Sequence, residues 1–68
     1  MAKITLKAAR VNAGLTQKEV AERLNVSNKT VWAWEVGKTM PNVNKIDAIC
    51  NLYGMSYDDI IFLPENPL

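Results

Sequence analysis

Apolar residues recur along this chain at intervals of three and four, the spacing that lines one face of an α-helix. Leu6, Ala9 and Ala13 share such a face, as do Val20, Ala21 and Leu24, then Val31 and Trp34, then Ile46, Ile49, Cys50 and Tyr53. Ile60, Ile61 and Leu63 continue the series until Pro64 stops it. No segment alternates with the period of a strand for long enough to compete.

The start signals agree. Thr16 stands before "QKEVAERL" with Glu19 three residues on, which is a capping box, and Leu15 and Val20 flank it as a hydrophobic staple. The same grammar recurs at Ser27, with Val26 and Val31, and at Ser56, with Met55 and Ile60. Asn42 caps a fourth helix, Thr5 the first, and Gly14 ends the first where a left-handed residue is favoured. The pattern predicts an all-α, compact five-helix fold. It is one domain spanning 1–68, with a core over about 4–63 and a short C-terminal tail, 64–68.

Within the third helix, Trp32 and Trp34 stand two positions apart, roughly 200° around the axis, and so face nearly opposite ways. Val31 is turned inward by its staple to Val26. Trp34 shares its face and joins the core, which leaves Trp32 toward solvent.

Composition narrows the chemistry. At 68 residues, only one modest core is possible. Cys50 is the single cysteine and there is no histidine, so neither an internal disulfide nor a structural zinc has its ligands. Cys50 is expected to be a buried small hydrophobe. No metal or other cofactor is expected. No stretch resembles a signal peptide or a membrane span, which predicts a cytoplasmic protein with no membrane partner. The net charge is +1, but through Lys45 eight basic residues face three acidic ones, and from Ile46 onward four acidic residues face none, giving a basic front (+5) and an acidic back (−4). Ordinary surface charge accounts for such a split equally well.

Enzyme chemistry finds no support. Asp58 and Asp59 are adjacent, diverge on a helix, and suit the positive end of its dipole rather than a catalytic dyad. Gly14, Gly37 and Gly54 stand singly at helix ends and form no phosphate-cradling loop.

The second and third helices are joined by only "NVS". Asn25 tolerates the left-handed conformation that a sharp turn needs. Ala21 is small where two crossing helices approach closely, and Val26 fills the corner. Helix, tight turn and helix with these fillers make a helix-turn-helix.

The stretch "LTQKEVAERLNVSNKTVWAWEVGKTMPN" resembles the phage-repressor and Cro-like helix-turn-helix DNA-binding domains, also called XRE-like or lambda-repressor-like. The resemblance runs from Leu6 to about Leu63, through "YGMSYDDIIF", and departs mildly at Asn25, where glycine is commoner. It implies that the third helix, Ser27 to about Val36, lies in the DNA major groove with its N-terminal part at base edges. Asn28 then suits adenine and Lys29 guanine, while Ser27 and Thr30 reach phosphate or base, Ser27 also being wanted by the backbone as a cap. Gln17, with the amides opening the second helix, would hold a phosphate, and Lys38 a second. Asn42 and Asn44 are weaker candidates. A solvated helix surface accounts for such polar residues without DNA. The family also pairs an arginine and a glutamate at the places of Arg10 and Glu35.

Where relatives often carry a polar residue, Ala33 offers a methyl group that could touch only a thymine methyl. The neighbouring Trp32 would add contact area against sugar-phosphate or a thymine methyl, its N–H reaching a phosphate. Against this stands Trp32 folding back to cover apolar surface. The resemblance therefore implies a sequence-specific transcriptional regulator that binds double-stranded operator DNA as a homodimer, with dimer contacts from the last helix and "FLPENPL". The alternatives are a protein-interaction module presenting "VWAW", or an antitoxin that binds DNA and a protein.

Overall fold

A computed structural model describes residues 3–62. Four α-helices make up most of it: α1 (Leu6–Asn12), α2 (Gln17–Leu24), α3 (Asn28–Val36) and α4 (Val43–Tyr53). Each begins where the side-chain chemistry provides for it. Thr5, Thr16, Ser27 and Asn42 sit in extended conformation at the four N-caps, and each side-chain oxygen accepts a backbone N–H of the first turn. At Thr16 the capping box is complete, since the Thr16 N–H also donates to Glu19 Oε1 at 2.8 Å. That bond, with the Thr16 hydroxyl second, holds the Glu19 carboxyl below its ordinary range.

The core gathers the inner faces of all four helices. Leu6, Ala9, Val20, Ala21, Leu24, Val31, Trp34, Ile49 and Tyr53 are buried together with Ile60. Leu15 and Val26, the outer halves of the staples at α2 and α3, pack against this cluster, and so does Met55, although no helix follows it to be stapled. Cys50 is half-buried there, and desolvation, then Asp47, pushes its thiol up. Cys50 was expected to be fully buried, and two further expected inner positions differ. Ala13 is exposed, because α1 ends at Asn12 and Ala13 caps it. Ile46 is only half-buried, one turn from the start of α4.

The fifth helix is not there. Tyr57–Asp59 form a single 3₁₀ turn, and Ile60–Ile61 form a short strand, β2, parallel to β1 (Ile4–Thr5), with Ile4 opposite Ile60. Ser56 does not cap; its hydroxyl donates to Asp59 Oδ2 at 3.0 Å. Two adjacent β-branched residues favour extended backbone over a new helical turn. The free edge of Ile4–Thr5 satisfies their backbone while Ile60 enters the core. The fold is therefore mostly helical, with four helices and a two-stranded tie between the ends of the described segment. Leu63 and the tail expected at 64–68 lie outside the described residues.

Candidate nucleic-acid interface

The turn between α2 and α3 has the geometry its sequence demands. Asn25 is left-handed (φ 60°, ψ 44°) and is the one non-glycine residue with positive φ among those described. The Val26 N–H returns to the Ala21 carbonyl at 3.0 Å, which closes the corner over α2. At the far end of α3, Gly37 is left-handed (φ 85°), and the Lys38 N–H reaches back to the Ala33 carbonyl at 2.9 Å. The helix is thus defined at both ends by backbone geometry.

Its inner face is fixed by one carboxylate. Glu35 is buried, 7% exposed. Arg10 Nε donates to Glu35 Oε2 at 2.7 Å, Arg10 Nη2 to Oε1 at 3.3 Å, and Gln17 Nε2 to Oε1 at 2.9 Å. Arg10 also donates from Nη1 to the Leu15 carbonyl at 2.9 Å. The guanidinium of α1 and the amide that opens α2 therefore converge on α3. A buried charge left alone would be costly, and here both groups are satisfied. The implied Arg10–Glu35 pair is present. The contribution of Gln17 to it was not foreseen, since nothing in the local spacing aims its amide at Glu35.

The sites expected from sequence fall as follows. Asn28 and Lys29 are exposed on the first turn of α3. The Ser27 oxygen accepts the Thr30 N–H at 3.1 Å and lies 2.8 Å from Thr30 Oγ1, so these two hydroxyls satisfy each other and the helix start. Lys38 is exposed just beyond the C-cap. Gln17 is half-buried and held at the N-terminus of α2. Trp32 is 40% exposed while Trp34, two residues on, is 6% exposed. Asn42 is occupied by its cap, accepting the Lys45 N–H at 2.9 Å, and Asn44 is exposed.

One positioning residue gave no sequence signal. Lys45 Nζ donates to the Leu24 carbonyl at 2.7 Å, so α4 clamps the C-terminal end of α2 beside the turn. A cation at that end also suits the helix dipole. Among the described residues, no helix is long and apolar enough to cross a membrane.

Comparison with known proteins agrees with this geometry. The helix-turn-helix family model matches residues 6–60. The HTH-type transcriptional regulator ImmR of Bacillus subtilis is 39% identical over 56 residues, covering 82% of this chain and 44% of that protein. The HTH-type transcriptional activator BcrR of Enterococcus faecalis is 32% identical over 56 residues, covering 82% of this chain and 28% of its own. The chain thus spans less than half the length of either. An uncharacterized HTH-type transcriptional regulator of Methanocaldococcus jannaschii is 33% identical over 61 residues, covering 90% of this chain and 92% of that one. With its capped helices, left-handed corner and matched residues 6–60, this chain belongs to the XRE-like helix-turn-helix family.

Proposed function

We propose that this protein is a sequence-specific regulator of transcription, of the Cro/repressor type, that binds double-stranded operator DNA through α3 in the major groove. The observation that supports it most is the disposition of α3. The helix is locked to α1 and α2 through the buried Glu35 in its last turn, and its first turn, with Asn28 and Lys29, is open to solvent. A rigid helix with an exposed polar first turn is what base readout requires.

Asn28 and Lys29 are the base readers, by two-point bonding to adenine and donation to guanine. Thr30 and Ser27 stand at the helix start beside them, with Ser27 chiefly a cap. Gln17 has one amide hydrogen committed to Glu35, which leaves the other for a phosphate beside the amides of the α2 N-terminus. Lys38 is the second phosphate contact, and Trp32 supplies contact area at the groove wall. The role is binding and not catalysis, acting on DNA in the cytoplasm.

A homodimer on a two-fold site accounts for selectivity, because one recognition helix reads too few base pairs. The exposed Tyr57 ring, stacked on Phe62 with centroids 5.3 Å apart, offers a surface for the second copy at the end of the described chain.

Selection of bound sequences from a random duplex pool tests this function. The expected product is a palindrome with half-site centres about 34 Å, or roughly 10 base pairs, apart. Affinity should also fall steeply with salt. Failure to bind any duplex at low salt rejects the proposal in favour of a protein-interaction module, and a single unrepeated block rejects the dimer.

A further inference from the structure

The exposed face of α3 changes character after its first turn. At about 100° per residue, Asn28, Trp32, Val36, Lys29 and Ala33 follow one another around a single arc of about 140°. Val31 and Trp34 occupy the opposite, buried side, and Glu35, in the last turn, is buried next to the edge of the arc that Asn28 begins. Thr30, on the flank, is engaged by Ser27. The open arc therefore holds Asn28 and Lys29 on the first turn and only Trp32, Ala33 and Val36 beyond it. Trp32 is 40% exposed and Val36 44%, and Ala33 is half-buried between the two faces.

This arrangement limits what the helix can read. Apart from the indole N–H, the three apolar side chains have no hydrogen-bonding atom. Pressed against the polar edges of bases, they would strip water from N7, O6, O4 or N4 and return nothing. The major groove has one apolar landmark, the C5-methyl group of a pyrimidine, carried by thymine and by 5-methylcytosine. Apolar side chains on a groove-facing helix match that landmark and oppose bare polar edges.

We infer that α3 reads its site in two parts: Asn28 and Lys29 by hydrogen bonds, and Trp32, Ala33 and Val36 by contact with pyrimidine C5-methyl groups. This rests on α3 being the groove-reading helix. The adenine preference of Asn28 and the methyl preference of the apolar arc both favour A·T pairs, so half-sites are A·T-rich on the side that meets the apolar residues. Where a cytosine replaces one of those thymines, its 5-methylation restores the group the helix reads and strengthens binding.

The duplex recovered by selection, resynthesised with deoxyuridine for thymidine at one position at a time, isolates the methyl group because nothing else in the base changes. At one or two positions in each half-site, affinity should fall about fourfold per missing methyl, the worth of burying one such group. Trp32→Ala or Val36→Ala should bind the thymidine duplex more weakly and cease to distinguish the two bases at the corresponding position. Both residues are partly exposed, and thermal melting verifies that each variant is folded. A second arm compares cytosine with 5-methylcytosine at the same positions. A gain on methylation supports readout of any C5-methyl pyrimidine. No gain, with the deoxyuridine penalty intact, supports readout of thymine alone.

Specific binding that ignores deoxyuridine at every position overturns the inference while leaving the DNA-binding function standing, and assigns the apolar arc to a protein partner. Absence of all duplex binding overturns both.

Discussion

Arg10 of α1 and Glu35 of α3 meet at 2.7 Å with side chains only 11% and 3% exposed, and the Gln17 amide of α2 joins them on the same carboxylate. Three helices are thus referenced to one group. Removing one partner of a buried pair strands the other. Glu35→Ala should therefore lower stability by on the order of 3–5 kcal/mol, most of what a domain this size has. Urea unfolding followed by circular dichroism measures it. A loss below about 1 kcal/mol, the scale of an exposed pair, would mean that the cluster is ornamental.

Base readers and phosphate readers should separate by the sequence dependence of their loss. Asn28→Ala or Lys29→Ala should cost about 1–3 kcal/mol at the preferred site and relax the preference at one position per half-site. Lys38→Ala should weaken all sequences alike and reduce the salt dependence. Gln17→Ala should do the same, with some loss of stability because Glu35 loses a donor. Repeating the selection with each variant reads this directly. An unchanged selected sequence for Asn28→Ala would place the wrong residues over the bases.

What was legible in the sequence was local. Caps at Thr5, Thr16, Ser27 and Asn42 announce themselves by residue type, and the staples and inner faces by spacing, because each is decided within one helical turn. The fifth helix was misread because its fate is decided far away. Ile60 and Ile61 have helix-compatible spacing, but the partner that draws them into a strand is Ile4–Thr5 at the other end. Two-residue strands are also too short to show alternation. Contacts of long side chains were hidden for the same reason. The meeting of Gln17 with Glu35 and of Lys45 with the Leu24 carbonyl depends on helix packing, which periodicity does not encode.

Asn25 tests the corner. Its φ of 60° costs a β-carbon strain that glycine avoids and asparagine tolerates. Asn25→Ala should lower stability by roughly 1 kcal/mol, and Asn25→Gly should be within about 0.5 kcal/mol of the parent, with DNA binding kept in both. Thermal melts of the two variants decide it. Equal losses would show that the asparagine side chain, and not the backbone angle, holds the turn.

Tyr53 gives the fold an alkaline limit. Burial first, then the Glu35 carboxylate, pushes its hydroxyl up to about 12 from 10.0, against a smaller opposing effect of Arg10. The folded state therefore holds the proton more tightly than the unfolded state does. The resulting stability is complete below the unfolded value near 10 and is lost progressively as pH rises toward about 12. Urea midpoints at pH 9 to 11.5 should fall more steeply for the parent than for Tyr53→Phe, which has no proton to lose. Parallel curves would remove Tyr53 from the account.

The two tryptophans should answer mutation in opposite ways. Trp34 is packed in the core with Val31 and Ile49, and truncating it leaves a cavity in a domain with little stability to spare. Trp34→Ala should cost about 3–5 kcal/mol and leave the chain largely unfolded at room temperature. Trp32 keeps 40% of its surface in water and stands on the open arc of α3 beside Asn28. It stands outside the buried core cluster, so the melting temperature of Trp32→Ala should fall far less than that of Trp34→Ala while DNA affinity falls. Measuring both quantities on both variants is decisive. If Trp32→Ala melted early and its folded fraction bound DNA normally, this indole would be a cover for the helix pair, and the groove-facing role would pass to its neighbours.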